Sequence, residues 1–307
     1  MAPSSSFLRF SKLVLVFVFL VIIAGAVVRM TQSGMGCPDW PKCFGSWIPP
    51  TDASQLPANY ESYLKKQDID HSFNVFHTWT EYINRLLGAL LGFLLIIQFA
   101  WSIKLFWKSN RKIVWFSLGL LLLTGFQGWL GKRVVDANLA TVKITTHMLV
   151  ALLIALLALV IIHLQTHHEK LIVNKKLKNI TLLTIVLLLL QIALGTEVRE
   201  QIDHISKELN YDAREYWIGK LDYVFYIHRS FSLLVGILCF YIFIQVKKTG
   251  TRLSSNNLVL ASVVAVILLG ITMAYFNIPA IAQPLHLLFS SLLFIALCNN
   301  WLKTNAS

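Results

Sequence analysis

Charge is scarce in this sequence. Only 14% of its 307 residues are Asp, Glu, Lys or Arg, 56% are hydrophobic, and the mean hydropathy is +0.64. That balance excludes an ordinary soluble globular domain. In its place, apolar runs recur along the whole chain, at about 13–31, 76–101, 113–131, 145–164, 180–196, 223–245, 257–275 and 284–301. Most are near the length needed to cross roughly 30 Å of hydrocarbon. Only helices and closed barrels satisfy their backbone in lipid. The expected fold is therefore all-α and integral to the membrane, with eight transmembrane helices and no room left for a sizeable soluble domain.

Acid is nearly absent from one side of that arrangement. With the N-terminus inside, the inward segments hold Arg9, Lys12, Lys104, Lys108, Arg111, Lys112, Lys170, Lys175, Lys176, Lys178, Lys247, Lys248, Arg252 and Lys303, with Glu169 as their one acid. Most remaining acids fall in the outward loops. This positive-inside bias over an even number of spans makes both termini cytoplasmic. The formal charge of +12 is thus a topology signal with some contact to anionic headgroups of the bilayer, and calls for no nucleic-acid partner. An Arg- and Ser-rich transit segment of useful length is also missing, which favours a bacterial cell (inner, plasma) membrane over an organelle. Residues 1–30 have the outline of a signal peptide, with Arg9 and Lys12 before an apolar run and Ala24-Gly25-Ala26 after it. Removing them would leave seven spans and spoil an internal repeat.

That repeat has three matched parts. Spans 1 and 5 end in Gly-x-x-Val-Arg, at 25–29 and 195–199. Spans 2 and 6 carry Glu81-Tyr82-Ile83-Asn84-Arg85-Leu86 and Phe225-Tyr226-Ile227-His228-Arg229-Ser230. Spans 4 and 8 carry Thr146-His147-Met148-Leu149 and Leu285-His286-Leu287-Leu288. The chain therefore reads as two tandem, pseudo-symmetric four-helix bundles of the same orientation, 1–164 and 179–307, joined by a cytoplasmic linker at 165–178. The outer loops differ between them. The loop at 32–75 has a cysteine pair; the one at about 197–222 has none, is charged, and is expected to be helical near Ile205–Trp217.

Four cysteines are present. Cys239 and Cys298 lie inside spans and read as core residues. Cys37 and Cys43, in Gly-Cys-Pro-Asp-Trp-Pro-Lys-Cys, lie on the oxidising side and read as a disulfide. A loop staple and a redox-active pair beside a site are both open readings.

Asn84, His147, His228 and His286 all lie a few residues inside the outer ends of even-numbered spans, at one common depth. Ligand-type residues at one depth in a helical bundle suggest an inward-facing site. The alternative is that each His is a packed or helix-bridging residue. In the second half, two histidines on facing helices suit axial ligation of a heme iron. Copper or zinc is allowed by ligand type, but the apolar lining and the want of further ligands favour a large planar cofactor. Arg85, Arg229, Arg29 and Arg199 are candidates to neutralise propionates, or to snorkel to lipid phosphate. The first half breaks the symmetry: Asn84 stands where the repeat demands His, and Glu81, one turn earlier on the same face, has Phe225 as its counterpart. A carboxylate in one half only points to chemistry in the first half and electron storage or transfer in the second. Glu81 can equally pair with Arg85 at i+4. His77 lies a further turn back; His71, His163, His167, His168 and His204 are weaker candidates.

Taken together, these motifs resemble the heme A synthase family. The likeness rests on Gly-x-x-Val-Arg-Met-Thr-x-Ser-Gly-x-Gly-Cys-Pro-Asp-Trp-Pro-x-Cys at 25–43, on Glu81 to Leu86, on His147, and on His228 with His286, and it covers nearly the whole chain. It implies an oxidoreductase that converts the C8 methyl of heme O to a formyl group, giving heme A for the terminal oxidase. It implies heme b, with its iron held by His228 and His286, substrate heme O near His147, Asn84 and Arg85, Glu81 as the catalytic carboxylate, and Cys37–Cys43 as an outward-facing disulfide. Heme O synthase and terminal oxidase assembly factors are the implied partners; homo-oligomerisation stays open. The family usually has Glu-x-x-His in span 2 where this chain has Glu-x-x-Asn, and the second cysteine pair of some members is absent. Two rival readings remain. A non-catalytic b-type cytochrome subunit serving quinone explains His228 and His286 but not Glu81 or the cysteine loop. A transporter explains the repeat but not the histidines at matched depth.

Overall fold

The structure is a computed structural model that describes residues 5–64, 73–136, 141–166, 171–173, 175–250 and 253–306. His71, His167 and His168 lie outside those residues. The chain forms α1 (Ser5–Met30), the short α2 (Tyr60–Leu64), α3 (Val75–Phe106), α4 (Arg111–Asp136), α5 (Thr141–Gln165), α6 (Lys175–Glu208), α7 (Tyr223–Lys248), α8 (Ser254–Tyr275) and α9 (Ala282–Lys303). Apart from α2, these are eight helices long and apolar enough to cross a membrane, so the all-α, eight-span architecture holds. Side chains such as Leu86, Leu90, Phe93 and Ile97 of α3 recur at helical spacing and are exposed. Such a face is what lipid covers.

The chain divides into two compact units, Met1–Gln165 and Thr166–Ser307. In the first, α1 and α4 each pack on both α3 and α5. That closes a four-helix ring with α3 and α5 on its diagonal. In the second, α6 and α8 each pack on both α7 and α9, which are diagonal in turn. The repeat read from three short motifs is thus also a repeat of packing. The first core centres on Phe7, Val14, Leu91, Leu95, Ile113, Leu120 and Leu152, the second on Cys239, Ile242, Val259, Leu293 and Leu297, all buried. Cys239 and Cys298 are free and buried, as core residues.

Two segments differ from expectation. The outer loop at 197–222 is not helical near Ile205–Trp217 as a separate piece; α6 runs on without a break to Glu208, followed by 3-10 turns at Arg214–Tyr216 and Ile218–Lys220. The cause is one apolar stripe. Val198, Ile202 and Ile205, at helical spacing, pack with Trp217, Leu221 and Ile278 in a buried cluster. This extends the helix past its membrane segment. Left-handed backbone at Asn210, Tyr211 and Ala213 then turns the chain back. The second difference is a parallel pairing of Leu171–Val173 with Thr304–Ala306, tied by Lys178 Nζ donating to Thr304 O at 3.0 Å. Neither segment carries an alternating pattern long enough to announce a strand.

Candidate functional site

At the loop end of unit 1, one face of α3 holds the cysteine loop. The side chains of Thr78, Trp79, Glu81, Tyr82 and Arg85 share that face through helical spacing. Thr78 Oγ1 donates to Gly36 O at 2.9 Å, Trp79 Nε1 to Pro50 O at 3.2 Å and Tyr82 Oη to Trp47 O at 2.6 Å. Gly36 lies so close to α3 that a Cβ there would meet His77 C and O at 2.4 Å. Glu81 is 4% exposed. Its Oε2 accepts from Cys37 N at 2.8 Å, and its Oε1 accepts from Arg85 Nε at 3.1 Å and from Nη2. The remaining Arg85 N–H groups go to Asp39 O at 2.6 Å, Lys42 O at 3.1 Å and Cys37 O at 2.8 Å. A guanidinium has five N–H donors, and all five are used here. Arg85 is therefore an anchor of the loop, with no donor left over for a propionate.

Cys37 and Cys43 are joined, with S–S 2.04 Å. Both are fully buried, against Phe44, Leu56, Tyr63, Phe73 and Tyr82. Asp39 closes the turn by accepting from Phe44 N at 2.6 Å and Gly45 N at 2.9 Å. Unit 2 secures the corresponding helix start by other means. Asp222, the repeat counterpart of Thr78, caps α7 by accepting from Val224 N at 2.8 Å and bonds Gln201 of α6 at 2.8 Å. Phe225, the counterpart of Glu81, packs on the apolar cluster of the α6 extension. The presence of Glu81 in one half thus follows from a polar loop that only that half has.

Deeper on the same helices lie the ligand-type residues. Asn84, His147, His228 and His286 sit within roughly 14 Å of the starts of α3, α5, α7 and α9. In each unit they occupy the two diagonal helices. The three imidazoles share a feature that the motif comparison missed. A Cβ placed on Gly131 of α4 would lie 3.3 Å from His147 Cε1. On Gly195 of α6 it would lie 3.0 Å from His228 Cε1, and on Gly270 of α8 it would lie 3.6 Å from His286 Cε1. Each ring therefore rests on a glycine of the preceding long helix. Gln127 and Gln191, four residues before two of those glycines, donate to His147 O and His228 O, both at 2.9 Å. The signal was in the sequence as Gln-x-x-Leu-Gly, at 127–131 and again at 191–195.

The Nδ1 atoms of all three rings are buried without a hydrogen-bond partner. Buried polar atoms are ordinarily satisfied, so an unpartnered ring nitrogen on each of these glycine-backed imidazoles is available to a group that the rings would ligate, while the His228 and His286 rings also interact with the backbone of Gln191 and Val266. His228 and His286 are close enough to interact electrostatically. Two imidazoles from diagonal helices of an apolar bundle fit ligation of a heme iron. Among the described residues, no group of three or more His, Cys, Asp and Glu could hold a bare metal ion. At the matched depth unit 1 offers one imidazole, His147, on the helix diagonal to that of Asn84, whose Oδ1 is also buried and unpartnered.

The remaining candidates are peripheral. Arg199 pairs with Asp203 at 2.8 Å on the α6 extension. Arg229 is exposed and Arg29 half-buried. His204 is exposed and lies 3.4 Å from Glu208. His77 is fixed in the first turn of α3 beneath Gly36.

A family model described as cytochrome oxidase assembly protein (COX15-CtaA) matches residues 9–298. Among curated proteins, the chain is 32% identical over 189 residues to a heme A synthase of Shewanella oneidensis, covering 60% of this chain and 54% of that protein. It is 31% identical over 146 residues to one of Rhodospirillum centenum, covering 44% and 37%. It is 28% identical over 204 residues to one of Agrobacterium fabrum, covering 61% and 54%. The chain thus spans about half the length, or less, of these curated relatives.

Proposed function

The chain belongs to the cytochrome oxidase assembly protein family, and from that premise we propose that it is a heme A synthase. It takes heme O as substrate and converts its C8 methyl to the formyl group of heme A, a four-electron oxidation that draws on an external oxidant. The observation that carries this reading is the unequal pair of units. At the matched depth unit 2 presents two imidazoles, His228 and His286, and unit 1 presents one, His147, with a buried disulfide in its outer loop.

In this reading His228 and His286 would hold the iron of heme b, and that cofactor would supply one-electron transfer when bound. Glycine backing at 195 and 270 sets the two rings, and Gln191 fixes the backbone at His228. His147, seated on Gly131 and tied through Gln127, binds the iron of heme O. Asn84 faces the other side of the substrate. Arg29, Arg199 and Arg229 are the candidates to meet propionates near the headgroup boundary. Arg85 holds the loop. Glu81 is at once the carboxylate nearest Asn84 on α3 and the clamp on Cys37, so it couples loop closure to the substrate site and is the group we assign to proton handling there. The Cys37–Cys43 bond acts as a staple that keeps water from the site. Both termini face the cytoplasm of a bacterial cell membrane, heme O synthase delivers the substrate, and terminal oxidase assembly factors receive the product.

Expression in cells that make heme O tests this. Accumulation of heme A or its alcohol intermediate is expected. Purified protein carrying heme B alone, with heme O unchanged in the cells, would favour a non-catalytic b-type cytochrome instead.

A further inference from the structure

We infer that the space between Gly25 and Asn84 is a pocket for a small neutral ligand, water in the resting protein, on the second face of the substrate heme. The inference rests on the proposed seating of heme O against His147.

The argument starts from a pattern with four members. Each long helix preceding a ligand helix has a glycine at the matching position: Gly25, Gly131, Gly195 and Gly270. The repeat pairs them with Asn84, His147, His228 and His286. At three of the four, the glycine faces an imidazole at 3.0 to 3.6 Å. At the fourth, a Cβ on Gly25 would meet nothing within 4 Å. Other glycines, Gly88 and Gly128 among them, are equally open, so the opening at Gly25 takes its meaning from the repeat, which pairs it with Asn84. On α3, the helix packed against α1, Asn84 Oδ1 is buried and has no hydrogen-bond partner. A buried amide oxygen is costly unless something donates to it. An Asn amide can also donate, so it can hold a small polar molecule through either atom. The vacated volume suits such a molecule, and a neutral amide competes poorly with it for the iron. Unit 1 then offers one fixed imidazole and one exchangeable position, where unit 2 offers two fixed imidazoles and none.

The test uses full-length purified protein with heme in both units, titrated with imidazole and followed by absorption and electron paramagnetic resonance. One heme, high-spin at the start, should convert to low-spin, because added imidazole enters the seat over Gly25. The other should stay low-spin throughout and serve as the check that the protein is folded. Gly25→Leu fills the seat and should abolish the conversion; Asn84→His supplies the missing ring and should give two low-spin hemes before any imidazole is added. Should Gly25→Leu fail to accumulate, the Asn84→His spectrum decides alone. A high-spin heme that does not respond to imidazole, one that responds equally in Gly25→Leu, or an Asn84→His protein that stays high-spin would overturn the pocket while leaving the substrate site standing. A response unchanged in His147→Ala would place that heme elsewhere, and would sink both the pocket and the proposed seating of heme O.

Discussion

Replacing Gly36 by Ala would break the cysteine loop at a calculable point. The new methyl would lie 2.4 Å from His77 C and O and 2.7 Å from Thr78 N, all backbone atoms of α3. Backbone in a helix does not step aside, so the loop must retreat by about 1 Å to regain van der Waals contact. A 2.9 Å bond from Thr78 Oγ1 to Gly36 O and a 2.8 Å bond from Cys37 N to Glu81 Oε2 would both stretch beyond useful length. One is neutral and one ends on a carboxylate, which puts the loss at about 2–4 kcal/mol. Even the lower figure raises the open fraction of the loop about 30-fold. The assay is reduction of Cys37–Cys43 by a membrane-impermeant thiol, followed by maleimide labelling and mass spectrometry, with hydrogen exchange of the 36–48 segment in parallel. Faster labelling at both cysteines is expected, with the unit 2 heme spectrum unchanged. Labelling at the wild-type rate would refute the claim that Gly36 and Glu81 seal the loop against α3.

Three other outcomes follow from the same geometry. Glu81→Ala should keep the unit 2 heme but yield no heme A on pigment extraction; product at the wild-type rate would remove Glu81 from the chemistry and leave it only the clamp. Gly195→Ala crowds His228, at 3.0 Å, whereas Gly270→Ala meets His286 at an ordinary 3.6 Å. Overpacking of roughly 1–3 kcal/mol should weaken unit 2 heme binding by about 5- to 150-fold in the first and hardly at all in the second, read by heme titration of the apoprotein. Gln127→Leu and Gln191→Leu should each cost only about 0.6 kcal/mol in a thermal melt, the size of an average interhelical hydrogen bond in a membrane.

The bundles were legible because membrane helices announce themselves one at a time: each run had to satisfy its own backbone, so length and hydropathy located it. The histidines were legible for a related reason, since polar residues at matched depth are costly and rare. What escaped was relational. Gln127 is one polar residue in an apolar span whose role lies in its amide on His147 O, and the glycines at 131, 195 and 270 carry meaning only once rings lie against them. Glu81 shows the opposite case. Its absence from the sister half pointed to chemistry, and the structure supplies a packing reason as well, because Phe225 answers an apolar cluster and Glu81 answers Cys37 N. The α6 extension was missed because charge along 197–208 masked a buried stripe of Val198, Ile202 and Ile205.

Pigment analysis of His147→Ala beside the wild type, in cells supplied with heme O, bears most directly on the division of labour between the units. The wild type should accumulate heme A, with mass spectrometry also finding the C8 alcohol. His147→Ala should keep the low-spin heme of unit 2 and leave heme O unconverted. Heme A formed by His147→Ala at the wild-type level, or loss of the unit 2 heme with that substitution alone, would contradict the account.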